Sequence, residues 1–188
     1  HSSDIPGLSG LGSSSAFTIS MLNLIHKFNN TRLTKEKLVK KCIDVEHNIL
    51  RESSGYQDQY ACAYGGFNSI KYKKNQVNVN SIKIKKNNLK NLISNSILVY
   101  SGIQRKSEVI EKDKVKNLIK NKQKFKDILE ISKEAKKILE TKNKLNIRYI
   151  ADLLNDSWAH KQQLSQYVSN PKIDELYRFG LNNGAMGG

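Results

Sequence analysis

Cysteine, proline and tryptophan are nearly missing from these 188 residues, which hold two Cys, two Pro and one Trp. Cys42 and Cys62 stand alone, without Cys-x-x-Cys pairing or a histidine at ligating distance in sequence. That spacing excludes a disulfide scaffold and a structural zinc site, and it fits a reducing compartment. Acid is scarce too: 17 Asp and Glu face 32 Lys and Arg, a formal charge of +15. No apolar run approaches the roughly 18 residues needed to span a bilayer, and no basic-then-apolar leader opens the chain. The expectation is a cytoplasmic protein with no membrane partner, its 38% hydrophobic content sufficient for a core.

What the chain does have is a turn of small residues at its start. Pro6 to Ala16 reads Pro-Gly-Leu-Ser-Gly-Leu-Gly-Ser-Ser-Ser-Ala and runs directly into the apolar stretch Phe17 to Phe28. A helix start carries unpaired N–H groups and partial positive charge, and Gly7, Gly10 and Gly12 place no Cβ between that backbone and an anion. The pattern points to a nucleoside triphosphate. It is not a P-loop, because no Gly-Lys-Ser/Thr ending is present, and Gly10-x-Gly12 is followed by serine where a dinucleotide fingerprint has its third glycine. A Ser/Gly-rich helix cap without a ligand would read the same over the loop alone.

A second segment speaks against that plainer reading. Glu46 is followed twelve positions later by Asp58, within Gly55-Tyr56-Gln57-Asp58-Gln59. Phosphoryl transfer to a hydroxyl needs oxygen ligands for a divalent metal and often a carboxylate near the attacking oxygen, and a serine with two carboxylates supplies these parts.

The loop residues Pro6, Gly10, Leu11, Gly12, Ser13 and Ser14, with Glu46 and Asp58, resemble the signatures of the GHMP small-molecule kinases. Tyr56 to Asn68, Tyr100 to Arg105, Trp158-x-x-Lys161-x-x-Leu164-Ser165 and Asn170 to Tyr177 are most similar to the branch of that family acting on D-glycero-D-manno-heptose 7-phosphate. The resemblance implies an ATP-dependent transfer of phosphate to the anomeric hydroxyl of the heptose phosphate, toward nucleotide-activated heptose for surface polysaccharide. It implies ATP and Mg²⁺ as cofactors, with backbone N–H groups through Ser15 around the phosphates and Mg²⁺ on Ser14 and Glu46. Asp58 would be the base, Gly55, Tyr56 and Gln57 would lie against the sugar, and Arg105 and Lys161 would hold its phosphate. Galactokinase, fucokinase and mevalonate-type kinases are the alternative readings within the family. Ser9, where relatives often carry threonine, and the loose Gln104-Arg105-Lys106-Ser107 segment depart from the pattern.

The resemblance also implies that these residues correspond to an internal stretch of such a kinase, with little turnover expected from the stretch alone. Residues 1–92 would complete a ribosomal-S5-like N-terminal part, and 93–188 would open a ferredoxin-like C-terminal domain, an α+β architecture overall. A rival of another class is a basic nucleic-acid-binding module. Its lysines, however, are spread over residues 71–90 and 112–144 among asparagine, isoleucine and acids, without an RNA-binding aromatic cluster, so no nucleic-acid partner is expected. Periodicity predicts helices over residues 13–29 and 34–50, the latter with Leu38, Cys42, Val45 and Ile49 inward. It predicts strands at 67–73, 77–85 and 92–100, helices from Lys112 onward, and Pro171 near the start of the last.

Overall fold

The computed structural model describes residues 10–52, 55–74, 76–103 and 107–188. The chain divides into two compact units. One holds residues 1–81 with 102–111, and the other holds 82–101 with 112–188.

In the first unit, helix α1 (Ser13–Phe28) starts where glycine permits it. Its cap residue is Gly12, in a left-handed conformation with φ of 70°, and no serine side chain caps the helix as the sequence had suggested. Helix α2 (Lys35–Ile43) is capped by Thr34, whose hydroxyl accepts from the Lys37 N–H at 3.3 Å. The chain then widens into a π-helical turn, Asp44–Ile49, instead of continuing as α-helix. There the Leu50 N–H reaches back to the Val45 carbonyl and the Glu52 N–H to that of Glu46, with Arg51 at φ 57° closing the turn. The wider turn leaves Glu46 on the buried side of Cys42 and rotates Ile49, expected inside, to 67% exposure.

Helix α3 (Gln57–Tyr64) carries Asp58 and Gln59 in its first turn. Helices α1, α2 and α3 pack on one another around Ile19, Leu38 and Cys42, with Leu22, Leu33, Cys62 and Ala63 at the edge. Full burial of each such aliphatic side chain contributes about 1.5–3 kcal/mol. The apolar side of α1, with Phe17, Met21, Leu24 and Ile25, is exposed, and Ser15, Thr18 and Ile19 are buried instead. Strands β1 (Asn68–Lys73) and β2 (Gln76–Ser81) form an antiparallel hairpin that pairs Ile70 with Val79 and Tyr72 with Val77. The second strand is shorter than expected.

The second unit is helical. It contains α4 (Lys86–Ser94), α6 (Lys122–Leu139), α7 (Ile147–Gln162) and α8 (Pro171–Asn182); α5 (Ser107–Lys116) is divided between the units. Buried Asn88 on α4 donates to the Asn143 carbonyl at 2.9 Å and accepts from the Leu145 N–H at 3.0 Å, which fixes the loop leading into α7. Helices α6 and α7 pack together, with Asn121 donating to the Leu164 carbonyl at 3.0 Å. No strand occurs among the described residues of this unit, so the expected strand at 92–100 and the ferredoxin-like sheet are not found in it. That segment ends a helix and then runs without a ladder partner, leaving Ile97 and Leu98 exposed. Among the described residues the chain is thus α+β through a single small hairpin, with helix dominating.

Candidate active site

Gly12 is the hinge of the site. Its positive φ favours glycine, and a Cβ there would lie 3.2 Å from the Asp58 Cγ and 3.3 Å from its Oδ2. The Asp58 carboxyl therefore lies directly over the start of α1, at the positive end of the helix dipole. The Cys62 thiol, one helical turn further along α3, points to the Gly12 carbonyl at 3.8 Å. Gly10 also has positive φ, at 77°, with open space where a Cβ would stand. Ser15 is buried, Ser13 half-buried, and Ser14 and Leu11 exposed. The loop thus presents backbone and the Ser14 hydroxyl outward.

Behind the loop lies Glu46, 1% exposed. Its Oε2 accepts from the Gln59 side-chain amide and its Oε1 from the Cys42 thiol at 3.5 Å. Both donors are neutral groups. Burial, with Glu46 second, pushes the Cys42 thiol up to about 12, which keeps it a donor and chemically inert. Burial also raises the Asp58 carboxyl above its ordinary range, with repulsion from Glu46 as the second cause. Cys62 is raised too, first by burial and then by Asp58.

Two carboxylates and a serine do not make a closed metal cage, and among the described residues no group of three acidic, histidine or cysteine side chains converges as one. The set suits Mg²⁺ nonetheless, because that ion keeps several waters and takes few protein carboxylates when phosphates share it. The buried Glu46 carboxyl, held only by neutral donors, is the observation that fits.

Tyr56 is exposed and stacks on His47, with centroids 5.1 Å apart, so His47 is engaged with the rim of the site. Gly55 and Gln57 are exposed beside it. Lys161 is exposed in the last turn of α7, in the second unit, where a cation suits the carboxyl end of a helix. Trp158 packs on Tyr177 at 6.1 Å as a helix-to-helix anchor. Pro6, Ser9 and Arg105 lie outside the described residues. Gln59 and Cys42 had no place in the sequence-based site. The only available signal was that Gln59 follows Asp58 directly.

Residues 1–66 match the family described as GHMP kinases N terminal domain. Over 99% of its length the chain is 30% identical to D-glycero-alpha-D-manno-heptose 7-phosphate kinase of Campylobacter jejuni subsp. jejuni serotype O:2, of which it covers 55%. Over 94% it is 21% identical to 17% of the bifunctional fucokinase/GDP-fucose pyrophosphorylase of Arabidopsis thaliana. The crystal structure of a D-glycero-D-manno-heptose 1-phosphate kinase from Bacteriodes thetaiotaomicron superposes with a TM-score of 0.73 at 25% identity, covering 98% of this chain and 51% of that one. The chain spans about half the length of the heptose phosphate kinases it matches. Gly12 and Asp58, which meet at the head of α1, both lie within residues 1–66, the stretch that matches the N-terminal domain of the GHMP kinases.

Proposed function

We propose that the protein is an ATP-dependent sugar kinase that phosphorylates a heptose 7-phosphate at its anomeric hydroxyl. The observation that carries this reading is the Asp58 carboxyl lying over Gly12, because it sets a proton acceptor beside a phosphate-binding helix start. The likeness to heptose phosphate kinases over nearly the whole chain supports the substrate class.

In this mechanism the N–H groups from Gly10 to Ser15 cradle the β- and γ-phosphates. Ser14 and Glu46 would hold Mg²⁺, which would supply neutralisation of the phosphate charge. The sugar hydroxyl attacks the γ-phosphorus, the bond to the β–γ bridging oxygen breaks, and the hydroxyl proton passes to Asp58. A carboxylate whose proton affinity has been raised is the better acceptor. Tyr56 and Gln57 orient the sugar beside Gly55, and the resemblance offers Arg105 and Lys161 as candidates for its existing phosphate. The reaction belongs to the cytoplasm, upstream of nucleotide-activated heptose for surface polysaccharide.

The fucokinase likeness supports a second acceptor, an unphosphorylated hexose. A panel of heptose 7-phosphate, fucose, galactose and mevalonate, offered with Mg²⁺-ATP to the complete gene product and read by product mass, separates the readings. Phosphorylation confined to the heptose phosphate is expected. Preference for any other acceptor overturns the assignment.

A further inference from the structure

Glu46 is the one acidic residue in the buried set among the described residues, and each of its oxygens has its own donor. Oε1 takes the Cys42 thiol, a weak donor, so the Gln59 amide on Oε2 dominates. Gln59 is itself 1% exposed, and its own Oε1 has no hydrogen-bond partner within the protein among the described residues. A side-chain amide can turn over and exchange oxygen for nitrogen, but here the turned form would aim a lone pair at a carboxylate. Electrostatics therefore select the orientation that grips Glu46 even though it strands the carbonyl oxygen. The π-helical turn brings the carboxylate inward, and the first turn of α3 meets it there.

We propose that Gln59 is a positioning residue whose amide fixes the orientation of the Glu46 carboxylate toward the divalent cation that accompanies the nucleotide. The inference rests on Glu46 as a metal ligand, as in the function proposed above. Asp58 and Gln59 are neighbours with different targets: Asp58 covers Gly12 while Gln59 holds Glu46, so one helical turn sets both carboxylates. A neutral donor serves this purpose where lysine or arginine would not, because it orients the carboxylate without satisfying its charge.

The test is the binding of Mn²⁺-ATP to the complete gene product without any sugar, read by water-proton relaxation. Gln59→Met keeps the bulk and removes the donor, and should weaken Mn²⁺-ATP binding by about 10–100-fold, the usual effect of losing a group that orients a metal ligand. Binding of ATP alone in EDTA should be unchanged, which a general loss of structure would not allow. Glu46→Gln is the control. If Gln59→Met binds Mn²⁺-ATP as the parent does while Glu46→Gln loses it, the positioning role is overturned and the ligand role stands. If Glu46→Gln binds like the parent, the ligand reading itself fails. Should Gln59→Met not fold, Gln59→Asn, with the amide withdrawn by one methylene, is judged by the same outcomes.

Discussion

Gly12 answers two demands at once, a left-handed backbone and the closeness of Asp58. Gly12→Ala should therefore destabilise the chain by about 1–3 kcal/mol in chemical denaturation, the usual cost of a non-glycine residue held in such a conformation. It should also weaken nucleotide binding. Asp58→Asn should separate function from stability: kcat is expected to fall about 10²–10³-fold, as when a transition-state electrostatic partner is removed. The raised carboxyl of Asp58 fixes the sign of its effect on stability. A folded-state value above the unfolded one favours folding at low pH, and that contribution disappears as pH rises through the folded value. At neutral pH Asp58→Asn should thus melt at or above the parent temperature. For the same reason the acid limb of kcat/KM should lie above the ordinary carboxylate range. Gly12, Glu46 and Asp58 could be named as candidates in sequence because their spacing resembles a signature, and the structure brings Asp58 against Gly12. Gln59 and Cys42 could not be so named, since their roles arise from burial around a π-helical turn that periodicity does not announce.

Elements were legible where caps and period agree. Helix α1 begins and ends almost where expected, and α8 starts at Pro171 behind the Asn170 cap, whose side chain accepts from the Ile173 N–H at 3.0 Å. Residues 92–100 misled because a short apolar run reads equally as strand or helix. Leu89, Leu92 and Ile93 complete α4, and Asn95 and Ser96 end it by bonding the Asn91 and Leu92 carbonyls at 2.8 and 2.7 Å. Helix α7 runs unbroken from Ile147 to Gln162 behind the Asn146 cap. Asn88→Ala tests the tie between α4 and the loop before α7. It leaves the buried Leu145 N–H unpaired, and a loss of about 1–3 kcal/mol by denaturant titration is expected for that stranded group. A change near zero would show that the loop is held otherwise.

At the scale of the molecule, charge and exposed apolar surface set the behaviour. A formal charge of +15 should raise the encounter rate with the two anionic substrates of the proposed reaction, so kcat/KM should fall as ionic strength rises. An unchanged kcat/KM from low to moderate salt would deny that steering. Phe28, Ile97, Leu98 and Ile119 are each more than 80% exposed. Such surface predicts dye binding and concentration-dependent association of the 188-residue chain, measurable by light scattering. The most direct test of the whole account is a ³¹P spectrum of the complete gene product with Mg²⁺-ATP and heptose 7-phosphate, run for the parent and for Asp58→Asn. The account predicts a new anomeric phosphate resonance with the parent and its loss on the same timescale with the variant. Equal product from both, or ATP consumed with no sugar phosphorylated, would contradict it.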